Sequence, residues 1–228
     1  QDRIGKLLNN SLSESEKIDL NIKNSSSYRL TEKINKQDYK EKFIKKYNYR
    51  VFDDRNIYYD KDLLGRAFYN VMQNMIHDNI GLIVCKQQST FNFQHTFITK
   101  TLTDHNSISL QTKEASFLFP LYLYPETSTQ QTLGHSTERT PNLNDEIVDK
   151  IALKINHAFL PDENIVCDLA AGVDGHFSPL DILDYIYAVL HSPTYREKYK
   201  EFLKIDFPRV PYPKNAKTFW QLVKLGSQ

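Results

Sequence analysis

The sequence predicts an α+β chain, a small mixed β-sheet region with one helix followed by a carboxy-terminal helical region. Three observations carry this. Short runs of β-branched and aromatic residues fall between residues 47 and 125, the composition then turns to Thr, Ser, Gln, Gly and Pro, and beyond 141 apolar residues recur at helical spacing. The chain has 228 residues and 40% hydrophobic content, enough for a real core in one domain or two small ones. The expected division is 1–46, a partly helical or linker segment; 47–125, the mixed β region; 126–141, a linker; and 142–228, the helical region.

Residues 1–30 are polar, and the Asn and Ser clusters at 9–15 and 24–27 favour loops because their side chains compete for backbone hydrogen bonds. Ile34, Phe43, Ile44 and Tyr47 among lysines predict a short amphipathic helix over 34–47. Two β-rich stretches follow, 49–52 and 56–59, with Asp53-Asp54-Arg55 as a tight turn between them. Leu64, Phe68, Val71, Met72, Met75 and Ile76 predict a helix over 63–77, its methionines core filler. The run 80–84 is a buried strand, the alternation of Phe91, Phe93, His95 and Phe97 a half-exposed strand, and 117–124, apolar on both faces, a central strand.

In the helical region Ile147, Val148, Ile151, Ile155 and Phe159 share one face. Ser178, Pro179 and Asp181 supply an N-cap, a first-turn proline and an acidic third residue, the requirements for starting a helix. Ile182, Tyr185, Ile186, Val189 and Leu190 form its stripe. Ser192-Pro193 then begins a second helix with Tyr195, Tyr199, Phe202 and Leu203, and the proline-punctuated 207–213 must be extended. The two helices are expected to support the β region.

The formal charge is only +1, but it is unevenly placed. Lysines with Arg50 load 33–50, and lysines with Arg196 and Arg209 load 196–224, with an acidic stretch from Asp145 to Asp184 between them. That pattern fits one face toward a polyanion, or equally a set of solvated helix faces. No apolar run approaches the roughly 20 residues a membrane helix needs, so membrane insertion is not expected. Cys85 and Cys167 have no second cysteine at metal or redox spacing and read as buried, reduced thiols of a cytoplasmic protein. Beginning at Gln1 and running straight into polar sequence, the chain reads as an excised piece of a larger protein.

The seven histidines are never three or four apart on a predicted helix, and there is no phosphate loop, nucleophile elbow or dinucleotide fingerprint. The string 168–176, with Asp168, Asp174 and His176, could line a pocket, but a loop before the helix that Ser178 caps explains it more simply. The interval 86–115 is different. Lys86, Gln87, Gln88, Asn92, Gln94, His95, Lys100, Thr101, Thr103, His105, Asn106, Ser107, Gln111 and Lys113 stand there with few acids, between two strands expected to be buried. Amides can pair bidentately with adenine and lysine can donate to guanine, so such residues on a rigid scaffold suit base reading; a plain polar loop is the alternative.

Tyr49-Arg-Val-Phe-Asp-Asp-Arg-Asn-Ile-Tyr-Tyr-Asp60, Val71-Met72, Ile80-Gly-Leu-Ile83 with Lys86-Gln87, and Phe119-Pro-Leu-Tyr-Leu-Tyr-Pro125 come in that order. They are followed by Leu183-Asp-Tyr-Ile-Tyr-Ala-Val-Leu-His-Ser-Pro-Thr-Tyr-Arg-Glu-Lys-Tyr199 and Ile205-Asp-Phe-Pro-Arg-Val-Pro-Tyr-Pro213. Over about 47–225 this resembles the carboxy-terminal specificity, or target-recognition, region of bacterial Type ISP restriction-modification enzymes. The resemblance implies a parent polypeptide joining nuclease, ATP-driven helicase-like translocase and adenine-N6 DNA methyltransferase to a terminal DNA-reading module, of which only the last is here. The methyltransferase Asn/Asp-Pro-Pro-Tyr/Phe signature is absent from the sequence. No cofactor is therefore expected in this chain, with S-adenosylmethionine, ATP and Mg²⁺ belonging to the parent. The implied partners are double-stranded DNA and the methyltransferase and helicase-like domains of the same polypeptide.

On this reading the polar 86–113 segment faces bases, while Lys42, Lys45, Arg50 and Arg55 join the contacts to DNA. Val51 stands where the family usually has proline, a difference expected to affect only backbone rigidity; Lys86 replaces an arginine, and Ala67-Phe68 a proline-arginine pair. Tyr49, Tyr58, Tyr59, Tyr185 and Tyr187 could stack on bases, but they lie on apolar stripes or in strands and read first as core. A structural module docking other domains of the parent is the competing class. A hydrolytic site on Asp168, Asp174 and His176 is a third, which would show as metal-dependent cleavage.

Overall fold

The computed structural model describes residues 2–9, 11–26, 28–34, 39–88, 92–109, 114–125, 139–161 and 175–228. Among them the chain opens with three short helices, α1 (Asp2–Leu8), α2 (Glu14–Asp19) and α3 (Leu30–Ile34). Then come the hairpin strands β1 (Ile44–Arg50) and β2 (Asp53–Tyr58), a single helical turn α4 (Tyr69–Met72), and strands β3 (Gly81–Cys85), β4 (Thr96–Thr99), β5 (Leu102–Thr103), β6 (Ser116–Pro120), β7 (Tyr122–Leu123) and β8 (Thr140–Pro141). The rest is α5 (Asp145–Ile155), the short strands β9 (Ala158–Phe159) and β10 (His176–Phe177), and α6 (Pro179–His191), α7 (Pro193–Lys198), α8 (Lys200–Leu203) and α9 (Ala216–Gly226). The α+β class expected from the sequence is observed. No helix among the described residues is long and apolar enough to cross a membrane.

The strands form small sheets in the orders β2-β1-β5 and β4-β3-β6, with β7-β8 and β10-β9 as two-stranded pairs. β3 is buried at all five positions and hydrogen-bonded on both sides, antiparallel to β4 and β6. Gly81 is required by space: a Cβ there would lie 2.6 Å from Leu118 Cδ1. The strand expected over 117–124 is therefore an edge, since it stops at Pro120 and the chain leaves to form β7.

Several local readings shift. The helix expected over 34–47 gives way to β1, because Ile44 to Arg50 finds a six-pair antiparallel partner in β2. Asp53-Asp54-Arg55 lies inside β2, and the turn is Val51-Phe52. The 63–77 helix shrinks to α4 and a 3₁₀ turn (Gln73–Ile76), because Phe68 takes a left-handed φ of 46° and interrupts the run. Among the described residues of the strand expected at 91–97, Thr96 onward is β and 92–95 are not. Phe159 sits in β9, since Asn156 at φ 55° ends α5. The second carboxy-terminal helix breaks at Tyr199 into α7 and α8. The expected linker 126–141 is described only at its end, where β8 pairs with β7; 126–138 lie outside the described residues.

One core runs through the β and helical regions. Leu82 and Val84 of β3 pack with Leu121, Tyr122, Val148, Ile151, Ile155, Phe177, Ile182 and Val189, closed by Leu203, Phe219 and Val223. The capping box expected at Ser178 is present, Ser178 Oγ accepting from the Asp181 amide while the Asp181 carboxylate accepts from the Ser178 amide. The stripe of α6 faces this core. α9 had no counterpart in the sequence reading; Asn215 caps it, and it crosses α6 so closely that a Cβ on Gly226 would lie 2.0 Å from the Asp184 carbonyl oxygen. The extended 207–213 is held by buried tyrosines, Tyr185 donating to the Pro211 carbonyl (2.8 Å) and Tyr195 to that of Arg209 (3.0 Å). Burial pushes both phenols up to about 12, so they stay protonated donors.

Phe219, with no exposed surface, stacks on Tyr185 at 5.4 Å and meets Phe177 edge-on at 5.9 Å. Phe219→Ala is expected to lower stability by about 3–5 kcal/mol in urea denaturation, and Gly226→Ala by about 1–3 kcal/mol, because the two helices must part. An unchanged midpoint for Gly226→Ala would show that α9 is not fixed on α6.

Candidate nucleic-acid interface

Strand register decides which candidate side chains meet. Cys85, the last residue of β3, pairs with Ser116, and Val84 with Thr96, so Lys86, the loop before β4 and the start of β6 share one end of the sheet. The Ser116 amide donates to the His105 carbonyl (2.8 Å) and Ser107 Oγ meets Ser116 Oγ (2.8 Å), which brings 104–107 to that end. The hairpin tip joins them through the Val51 amide, which donates to the Ser107 carbonyl at 3.3 Å. Proline could not make this bond, so Val51 does more here than change backbone rigidity.

This end collects Lys86, Gln87, Asn92, Gln94, His95, His105, Asn106, Arg50 and Arg55. Lys86, Asn92, Gln94 and Asn106 are exposed, and Gln87, His95 and His105 half-buried. Lys100 and Thr101 follow Thr99, which pairs with Gly81 at the opposite end of β3, and Thr101 is tied to Thr99. Lys42 and Lys45 lie at the open end of the hairpin, where Ile44 pairs with Tyr58, and so are not gathered with the rest. Gln111 and Lys113 lie outside the described residues.

Gln88 has a different role from the one the sequence suggested. It is 1% exposed, its Oε1 accepts from the backbone amides of Gln94 (3.0 Å) and His95 (3.4 Å), and its backbone N–H donates to the Leu203 carbonyl. Its side-chain oxygen holds the backbone that presents Gln94 and His95, while its backbone N–H ties residue 88 to α8. Thr103 and Ser107 are likewise buried. His95 Nδ1 lies 3.4 Å from the buried Glu114 carboxylate. Cys85 beside them is inert, since burial, with Glu114 adding, pushes its thiol up to about 12.

The hairpin tip carries features that composition hid. The register shifts between Asn48 and Arg50, a bulge at Tyr49. The Tyr49 ring lies between two guanidiniums, with Arg50 at 3.9 Å and Arg55 at 4.0 Å. Arg55 also grips Asp53 bidentately at 2.7–3.1 Å, which holds the Asp53 carboxyl below its usual range. Behind the tip Tyr47 donates to Asp104, and burial followed by that bond raises the phenol well above its ordinary value. A cleft of about 210 Å³ opens there, lined by Tyr47, Tyr59, Asp104 and Asn106, with Phe68 stacked on His105 (5.4 Å) beside it. Tyr58, Tyr59 and Tyr185 are buried, as the core reading expected, whereas Tyr49 and Tyr187 are half-buried.

Among the described residues no three His, Cys, Asp or Glu side chains are grouped to hold a metal ion. His176 is half-buried, and Asp168 and Asp174 lie outside the described residues.

The profile of the Type ISP C-terminal specificity domain matches residues 1–228. The chain belongs to that family. No curated protein matches it. Among solved structures, this specificity domain is similar to the ATP-dependent Type ISP restriction-modification enzyme LlaBIII bound to DNA, with 21% identity, a TM-score of 0.64, and 99% of this chain and 13% of that one covered. It is also similar to DrdV in a DNA complex, with 22% identity, TM-score 0.61, and 99% and 19% covered. A third is a nuclease-deletion mutant of the Type ISP enzyme LlaGI in complex with a DNA substrate mimic, with 20% identity, TM-score 0.54, and 85% and 14% covered. The specificity domain thus has the fold of a segment of these chains and spans less than a fifth of their length.

Gln88→Ala is expected to leave the fold intact while exposing the amides of Gln94 and His95. Each should exchange with deuterium at least ten-fold faster than in the parent chain, because a buried acceptor is lost. Unchanged exchange would mean that the loop is closed by something else.

Proposed function

We propose that this specificity domain reads duplex DNA for a Type ISP-like restriction-modification enzyme, through the sheet end where Lys86, Gln87, Asn92, Gln94, Asn106 and the β1–β2 hairpin tip converge. The convergence carries the reading: exposed amides and a lysine sit at the end of a doubly bonded, fully buried strand, so base-reading groups stand on a rigid support. Lys42, Lys45, Lys46 and Lys100 lie away from this end and suit sequence-independent phosphate contacts. Catalysis, with the S-adenosylmethionine, ATP and Mg²⁺ it needs, belongs on this reading to other domains of the parent polypeptide. Docking to those domains is a second role, favoured by Leu153 at 82% and Leu225 at 62% exposure on α5 and α9.

The test is equilibrium binding of the 228-residue chain to duplex DNA across salt. Affinity should fall by orders of magnitude as salt rises several-fold, because phosphate contacts release counterions. Lys42→Ala should weaken all sequences alike. In selections from random duplexes, Lys86→Ala and Gln94→Ala should relax preference at individual base pairs by about 1–3 kcal/mol. Affinity indifferent to salt would contradict DNA binding, and uniform weakening by the Gln94 change would make that loop a backbone clamp.

A further inference from the structure

Phe52 is 95% exposed and holds a backbone φ of 64°. It is the second residue of the two-residue connection between Arg50 and Asp53, and Val51 before it is not at positive φ. A turn of that kind gives this position to glycine or asparagine, which tolerate the left-handed region. An exposed ring and a strained backbone both disfavour the free chain, and such outliers collect where a ligand makes use of them.

Hydrogen bonds hold the tip in this conformation. The Val51 amide is bonded to Ser107, Asn48 Nδ2 donates to the Arg50 carbonyl and to Asp54 Oδ1 (both 3.0 Å), and the Phe52 ring touches Phe97 only edge-on at 6.5 Å. Beside it stand the two guanidinium planes on Tyr49. Asp53 and Asp54 offset Arg50 and Arg55 in charge, so the tip is not a phosphate clamp. What it offers is flat surface, and flat surface stacks on bases.

We propose that Phe52 is a wedge: its ring enters duplex DNA at one base step and stacks on an exposed base, with the Arg50–Tyr49–Arg55 stack bracing the hairpin behind it. This rests on the DNA-reading function above and adds to it a residue that deforms the duplex rather than reading base edges. Wedging at a step costs unstacking, least where the step is flexible or mispaired, so Phe52 contributes preference at a position that no side chain reads by hydrogen bonds.

The experiment compares the wild-type chain with Phe52→Gly and Phe52→Trp on intact duplexes and on duplexes with a central mismatch, adding permanganate to report unstacked thymines. Phe52→Gly should raise the melting temperature by a few degrees, since glycine accepts the left-handed φ. It should also bind DNA roughly ten-fold or more weakly, lose the wild-type gain on mismatched duplex and abolish protein-dependent thymine reactivity. The slope of log Kd against log salt should not change, because no charge is removed. Phe52→Trp should keep affinity and reactivity. A glycine variant that binds and unstacks DNA like the wild type, or one that melts lower, overturns the wedge and leaves the DNA-reading function standing. A wild-type chain that does not bind duplex DNA overturns both.

Discussion

The burial of β3 on both faces is the constraint on which the rest depends. Leu82 and Val84 belong to the core shared with α5, α6 and α9. On the other side Leu118 of β6 joins Tyr59, Met72, Met75 and Leu102 beneath the β1–β2–β5 sheet. With neighbours hydrogen-bonded along both edges, and Gly81 standing where a Cβ would lie 2.6 Å from Leu118 Cδ1, a slip by one residue would drive a side chain into Leu118. Whatever leaves its end at Lys86 therefore starts from a fixed point.

Two kinds of polar contact carry that rigidity outward. Buried side-chain amides replace backbone partners: Gln88 accepts from the Gln94 and His95 amides, while Asn79 bonds both the amide and the carbonyl of Tyr122, and Asn74 accepts from the Tyr124 amide. The Ser107–Ser116 and Val51–Ser107 bonds then tie the hairpin tip to the same sheet end. Each contact is worth little by itself, but an unmade one would leave a buried donor or acceptor unsatisfied. The arrangement gathers exposed amides and Lys86 at one sheet end in a chain whose net charge is only +1.

The α+β class, the buried strand at 80–84 and the capped helix at 178 were legible because each is set by local rules: an apolar run, or a Ser-Pro-x-Asp start. β1 is ambiguous in the sequence because Ile44 and Tyr47 fit a helical stripe as well as a strand, and pairing with β2 decides. The hairpin turn was misplaced because Asp53 and Asp54 have turn composition, whereas the actual turn uses Val51 and Phe52, which do not. Gln88 looked like its exposed neighbours, and no sequence signal separates an amide that reads a base from one that caps a loop. The signal for α9 is present in the sequence, since Asn215, Phe219 and Val223 follow a recognisable cap and spacing. The family resemblance supplied the functional class, and the register supplied which side chains stand together.

Hydroxyl-radical footprinting of the chain with and without duplex DNA, read residue by residue by mass spectrometry, tests most directly whether this sheet end is the DNA-facing surface. The account predicts protection concentrated at Tyr49, Phe52, Gln94, His95 and His105, with Leu153 and Leu225 on the helices unchanged. Protection of those helical residues, with the hairpin tip and the 92–106 loops still oxidised at their free rate, would contradict it.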